Sequence, residues 1–179
     1  MSGILCANCA GRTSSVLFIR SAFRFEGTVR QAVHELKYRN VRAIGPLLAS
    51  YIAPVLREAA YAPDLIVPVP MHPRRKRRRG YNQADILARS VGKLVSVEAR
   101  TDVVQRSRDG ASQLESGTSA RRRSNVHGAF ACANRLVSGK RVLLVDDVCT
   151  TGATIEACAT ALRSAGAAEV AAVTVAREV

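Results

Sequence analysis

RVLLVDDVCTTGAT, residues 141–154, changes character twice within a few positions, and those changes decide how the chain is read. Val142 to Val145 form a short apolar run of β-branched and leucine side chains behind Lys140 and Arg141. Such a run suits a strand buried on both faces of a parallel sheet. Asp146 and Asp147 follow at once, and then a tight polar loop, Cys149-Thr150-Thr151-Gly152-Ala153-Thr154. From Gly152 onward Ile155, Cys158, Ala159, Leu162 and Ala165 recur at helical spacing. The order is therefore strand, acidic pair, Thr/Gly loop, helix.

A loop at a helix N-terminus offers unpaired backbone N–H groups at the positive end of the helix dipole. Gly152 lets the backbone approach a ligand closely, and the hydroxyls of Thr150, Thr151 and Thr154 add donors. Together they describe a socket for a phosphate monoester. The carboxylates of Asp146 and Asp147 can accept hydrogen bonds from vicinal hydroxyls such as a ribose offers. A phosphate socket beside a diol acceptor is the chemistry of a ribose-5-phosphate site. The chain has no GxxxxGK[ST] sequence, so it is not a P-loop.

The stretch VLLVDDVCTTGAT resembles the phosphoribosyl-pyrophosphate (PRPP) motif of type I phosphoribosyltransferases. The resemblance implies that Asp146 and Asp147 hold the ribose 2′ and 3′ hydroxyls, and that Thr150, Thr151, Gly152, Ala153 and Thr154 hold the 5-phosphate, with Val148 a further substrate-binding position. A second unit of the same kind lies upstream. DLIVPVP, residues 64–70, reads as a buried strand ending in a constrained loop, Pro68 to Pro73. The basic run Arg74 to Arg79 leads from this loop into a helix. Ala84, Leu87, Val91 and Leu94 keep helical spacing, with Asn82 as the expected N-cap. That helix start is a second expected place for anionic oxygens.

VPVPMHP followed by RRRGYNQADILA resembles the signature of the ComF family of phosphoribosyltransferase-like proteins, which is linked to competence and DNA uptake. FRFEGTVRQAVHELKYRN and RRRSNVHGAF resemble further segments of the same family, so the likeness runs from Phe23 to Arg177. It implies an α/β fold, doubly wound around a mainly parallel sheet of the type I phosphoribosyltransferase kind, with a small N-terminal extension. Residues 23–179 are the expected phosphoribosyltransferase-like domain, and 1–22 the remnant of a Cys-containing segment. The family carries an N-terminal four-cysteine zinc finger. Here Cys6-Ala7-Asn8-Cys9 supplies half a tetrahedral site, no second pair follows, and zinc is not expected.

Bulk properties set limits. With 47% hydrophobic residues, the chain can build one ordinary domain. Aromatics are 4% with no Trp, so the core must be mostly Val, Leu, Ile and Ala. No apolar run approaches the ~18 residues of a membrane span, and no signal or transit pattern opens the sequence. A cytoplasmic protein without membrane insertion is expected. Five cysteines in a well-cored chain do not form a disulfide framework. The net charge is +13, and Arg74–Arg79 with Arg121–Arg123 hold nine of the 27 Lys and Arg. Such clustering implies an anionic partner, polyphosphate or nucleic acid.

Other segments fill in the frame. Phe18 to Glu26 reads as a strand or extended hairpin. Helices are expected from Val29 to about Asn40 and from Ala43 to Leu56. Lys37 and Arg39, at the turn between them, either complement the helix dipole or contact phosphate. Thr101 to Gln105 reads as a strand and Gly128 to Cys132 as an edge strand. Residues 106–120, polar and without apolar period, match the lid that closes over PRPP in type I enzymes. Gly166 fits a helix C-cap, and Val170 to Val175 the closing strand.

These parts imply a phosphoribosyltransferase, a pentosyltransferase that binds PRPP with Mg²⁺ and passes ribose-5-phosphate to a nitrogen nucleophile with release of pyrophosphate. Magnesium would bridge diol and pyrophosphate oxygens. The backbone of Pro70-Met71-His72 and the arginines of the basic run, Arg79 foremost because it belongs to the RGYNQ match, would neutralise the leaving group. Lys37 is a further candidate ligand. His72 is either a site residue or a structural one. The alternative is a non-catalytic protein that grips single-stranded DNA through the basic run and Tyr81, or docks onto DNA-uptake machinery.

Overall fold

Val142, Leu143, Leu144 and Val145 have no solvent exposure, because the strand that carries them lies inside the sheet. In the computed structural model, which describes residues 14–106, 129–132 and 135–178, the elements run in this order. They are β1 (Ile19–Arg24), α1 (Gly27–Tyr38), α2 (Ile44–Glu58), β2 (Leu65–Pro68), α3 (Pro73–Arg79) and α4 (Gln83–Val95), followed by β3 (Gln105–Arg106) and β4 (Phe130–Ala131). After a 3₁₀ turn at Arg135–Val137 come β5 (Arg141–Cys149), α5 (Ala153–Ser164) and β6 (Glu169–Arg177).

The main sheet has the order β1-β6-β5-β2 and is parallel throughout. In register, Val67 lies beside Leu144, Leu144 beside Ala172, and Ala172 beside Ile19. The two-residue period of β5 divides its apolar side chains between two cores. Leu143 and Val145 join Ile66, Ala171 and Val173 under Val33, Leu36, Leu48, Ile52, Leu87 and Val91 of α1, α2 and α4. Val142 and Leu144 join Val67, Val170 and Ala172 over Ile155, Cys158, Ala159 and Leu162 of α5. Helices thus cover both faces, the doubly wound arrangement. The cores are built from Val, Leu, Ile and Ala, as the shortage of aromatics requires.

Several expectations are corrected. Of the two readings of Phe18–Glu26, strand or hairpin, the strand holds: it is β1, parallel to β6. β1 spans the expected division at residue 22, and Ser14 and Ser15 bond to Glu156 of α5, so this segment is tied into the domain. Arg74–Arg79, expected to lead from the loop into the next helix, is itself helical and forms α3. Pro73 occupies its first turn, where a missing N–H costs nothing, and Gly80 ends it at φ +84°. Only Gln105 of Thr101–Gln105 is in a strand. Within the expected edge strand, Phe130–Ala131 is a strand that pairs antiparallel with Gln105–Arg106 in a separate ribbon. The closing strand became an inner one, between β1 and β5. Gly166, at φ +96°, does follow the last turn of α5. The lid candidate beyond Arg106, the RRRSNVHG segment, and Cys6 and Cys9 lie outside the described residues.

Candidate functional site

The site lies where β5 outruns β2. Val145 pairs with Pro68, the last residue of β2, so Asp146 and Asp147 emerge past the end of that neighbour. On the other side β5 stays paired, Asp146 beside Thr174 of β6. Thr174 is fully buried and meets Ser21 of β1, hydroxyl to hydroxyl, at 2.7 Å. A polar row, Ser21-Thr174-Asp146, therefore crosses three strands at the carboxyl end of the sheet.

The pleat sends the two carboxylates to opposite faces. Asp146 turns toward the start of α5. Its carboxyl is packed among neighbours and is pushed up to about 8, first by burial and then by the adjacent Asp147 charge. It accepts the Asp147 N–H at 2.8 Å. Asp147, 3% exposed, turns toward α1, where Lys37 Nζ lies 3.0 Å from its Oδ1. Its other oxygen, Oδ2, is buried without a hydrogen-bond partner among the described residues. A buried carboxylate oxygen left unpaired is costly unless a ligand completes it.

The loop after β5 has the expected form. Gly152 sits at φ +76° as the N-cap of α5, a left-handed position that glycine takes without strain. Thr150 and Thr151 are exposed, and Thr151 Oγ1 accepts the Ala153 N–H at 3.4 Å. A small cavity of ≈ 40 Å³ is lined by Asp146, Val148, Cys149, Thr150, Gly152, Ala153, Thr154 and Ile155. By volume it holds a few oxygen-sized groups. Asp146 and the loop expected to take a phosphate thus share one cavity. Cys149 is buried at the end of β5, and burial raises its thiol above the usual range.

A second cavity, ≈ 440 Å³, opens on the α1 side and is lined by Lys37, Tyr38, Asn40, Arg75, Arg78, Arg79 and Tyr81. It brings together two expected ligands, Lys37 and Arg79. Lys37 joins the cavity to Asp147. Arg79 stacks its guanidinium 5.1 Å from the Tyr38 ring and donates to Gln83 Oε1. Tyr81 is buried. Its hydroxyl donates to the Leu36 carbonyl, and Arg42 covers its ring at 4.5 Å. Arg39 is exposed and reaches Glu35 at 3.8 Å. Arg75 and Arg78 belong to the basic run expected to meet the leaving group, whereas Tyr38 and Asn40 were not singled out from the sequence; the spacing of α1 and α3 hides that their ends face one another.

The β2–α3 connection, Pro70-Met71-His72, is partly exposed. His72 caps α3, its Nδ1 accepting the Arg74 N–H at 3.2 Å, so a structural role is present. Nε2 is buried without a partner among the described residues. Burial first, then the charges of Arg106 and the α3 arginines, lowers its pKa and favours the neutral ring. The expectation of anion binding at the start of α4 is overturned. Asn82 caps that helix itself, its Oδ1 accepting the Ala84 N–H while Nδ2 donates to Val69 O and Asp85 Oδ1. Asn82, Gln83 and Ala84 are all buried.

Among the described residues, no group of three or more His, Cys, Asp or Glu is arranged to hold a metal. No helix among them is long and apolar enough to cross a membrane.

Comparison with known proteins bears on this geometry. A family model described as the phosphoribosyl transferase domain matches residues 37–178. Competence protein F of Haemophilus influenzae is 34% identical over 146 residues, covering 77% of this chain and 63% of the relative. DNA utilization protein YhgH of Salmonella typhimurium is 31% identical over 173 residues, covering 92% of this chain and 74% of that protein. The chain thus spans between about three fifths and three quarters of these relatives. Among solved structures, the allosteric regulatory enzyme of purine biosynthesis superposes with a TM-score of 0.50 at 22% identity, covering 74% of this chain and 26% of that one, a likeness of fold. With the acidic pair and Thr/Gly loop inside the matched span, the chain belongs to the ComF family of phosphoribosyl transferase domain proteins.

Proposed function

We propose that the protein binds PRPP with Mg²⁺ and transfers ribose-5-phosphate to a nitrogen nucleophile, releasing pyrophosphate. The observation that carries this is the cavity that Asp146 shares with Thr150, Gly152, Ala153 and Thr154 at the carboxyl end of β5. The 5-phosphate would sit on the loop, met by backbone N–H groups at the start of α5 and the Thr hydroxyls. The diol would lie across the strand end, between Asp146 and the open Oδ2 of Asp147.

The donor set also fits a hard divalent cation, since the two carboxyl groups supply oxygens, one of them buried and unpaired, and among the described residues Lys37 is the cation paired with them. When bound, Mg²⁺ would offset the charge that builds on the pyrophosphate oxygens. The protein's part is to orient and to neutralise. Lys37 and Arg79, with Arg75 and Arg78, stand on the side where the leaving group would depart. The C1′–O bond breaks with its electron pair going to pyrophosphate, the acceptor nitrogen forms the new bond to C1′, and that nitrogen releases its proton to solvent water. His72 is held as a neutral cap and is not assigned as base.

A role in competence or DNA uptake is proposed from the relatives' names. One feature favours a second reading as a single-stranded-DNA or docking protein: Arg74 to Arg78 are exposed along α3. The test is calorimetric titration of PRPP with and without Mg²⁺, beside an Asp146→Asn, Asp147→Asn double variant. Magnesium-dependent binding lost in the variant supports the enzyme reading. Absence of binding by folded wild-type protein, together with DNA affinity that falls steeply with salt, supports the second.

A further inference from the structure

We infer that the cavity between the end of α1 and α3 takes a nucleoside phosphate, a planar base carrying anionic oxygens, on the side of the site where the leaving group would depart. The inference rests on the phosphoribosyl-transfer reading for its role, and on the cavity alone for its ligand.

Charge is the first argument. Lys37, Arg75, Arg78 and Arg79 line the cavity, and no carboxylate does so among the described residues. Lys37 is paired with Asp147, whereas Arg75, Arg78 and Arg79 make no ion pair among the described residues. Three neighbouring guanidinium groups repel one another unless anions lie between them. A departing pyrophosphate carries about three negative charges, of which a bound divalent cation cancels two. One residual charge does not match three open arginines. A ligand that brings further negative charge fits the cavity better than pyrophosphate with its cation.

Aromatic surface is the second argument, and it is independent of the first. The chain has only eight Phe and Tyr in 179 residues, yet Tyr38 stands 64% exposed on this cavity wall. Arg79 and His34 flank its ring at 5.1 and 5.3 Å, and Tyr81 with Arg42 stacked on it forms the neighbouring pair. Arg planes and Tyr rings set side by side are the surfaces on which nucleobases stack. Inorganic polyphosphate would use the arginines and leave the exposed part of Tyr38 uncovered. At ≈ 440 Å³ the cavity falls in the size range of small-molecule sites, roughly 300–1,000 Å³. Lys37 lines this cavity and touches Asp147 at 3.0 Å, so its occupant borders the acidic pair.

The experiment is calorimetric titration of the full chain with ADP, adenosine and inorganic pyrophosphate, and with a 5′-phosphorylated oligo-dA decamer. ADP is expected to bind at least about tenfold more tightly than either adenosine or pyrophosphate. Tyr38→Leu should weaken ADP about tenfold and leave pyrophosphate unchanged. Arg75→Gln with Arg78→Gln should weaken both. ADP no tighter than pyrophosphate, or ADP affinity untouched by Tyr38→Leu, overturns the inference. A decamer much tighter than ADP assigns the nucleotide to a strand end, and a decamer no tighter assigns it to free nucleotide; both keep the site. Magnesium-dependent PRPP binding in a protein that ignores ADP sinks this inference and spares the transferase reading. ADP binding without PRPP binding does the reverse.

Discussion

Lys37 in the last turn of α1 and Asp147 at the end of β5 are joined at 3.0 Å, with side chains 20% and 5% exposed. The pair ties the helical layer to the strand end that carries the candidate site. It also leaves one Asp147 oxygen buried and open.

Removing Lys37 should therefore cost more than a surface ion pair does. Lys37→Met leaves a buried carboxylate without its cation, and a destabilisation of about 1–3 kcal/mol is expected, below the full buried-pair penalty because Lys37 keeps some solvent. Asp147→Asn, which removes the charge and keeps the shape, should cost less. Urea midpoints of the two variants give the comparison. Equal midpoints to wild type for Lys37→Met would show that the pair carries no stability.

Asp146 predicts a pH dependence with a definite sign. Its carboxyl is raised from the ordinary range to about 8 in the folded protein. The native state thus holds a proton that the unfolded chain has lost above about pH 4. Between those values the native state binds more protons, so stability falls as pH rises. Asp146→Asn should flatten this part of the profile, read as the slope of unfolding free energy from pH 5 to 8. A cationic ligand at the pair should bind more tightly as pH rises through the same window.

Gly152 tests the loop. Alanine there would have to hold φ +76°, and its Cβ would lie 3.1 Å from Ile19 Cδ1. The Ile19 tip can move, so the backbone decides, at a cost of about 1–2 kcal/mol. Gly152→Ala is expected to lower the melting temperature by a few degrees and to weaken PRPP binding more than tenfold. Thr151→Ala, on the exposed side of the same loop, should leave the melting temperature unchanged.

Asn82 is a buried polar residue with three bonds, to Ala84 N, Val69 O and Asp85 Oδ1. Asn82→Ala removes the α4 cap and strands the Val69 carbonyl just before the Pro70–His72 loop. About 2 kcal/mol of stability should be lost, in denaturant titration. Asn82→Asp, which keeps the cap acceptor, should recover part of it. Full retention of stability in Asn82→Ala would contradict the capping role.

Much of this molecule was legible in single stretches. Val142–Val145 read as a doubly buried strand because four consecutive apolar residues have no polar face to offer water. Asp146, Asp147 and the Thr150–Thr154 loop read as a site because strand, acids, hydroxyls, glycine and helix are contiguous, so local geometry alone places them. Asn82 was readable as a cap for the same reason. The sequence by itself determined these local units and the family they belong to. Tertiary structure decided what depends on distant partners: that β6 lies inside the sheet, that Asp146 and Asp147 face different layers, and that Lys37 rather than solvent meets Asp147. It also folded the basic run into α3 and set Arg75, Arg78 and Arg79 opposite Tyr38. Charge and aromatic spacing along the chain carry no record of that meeting, because it is made where the ends of two elements far apart in sequence line one cavity.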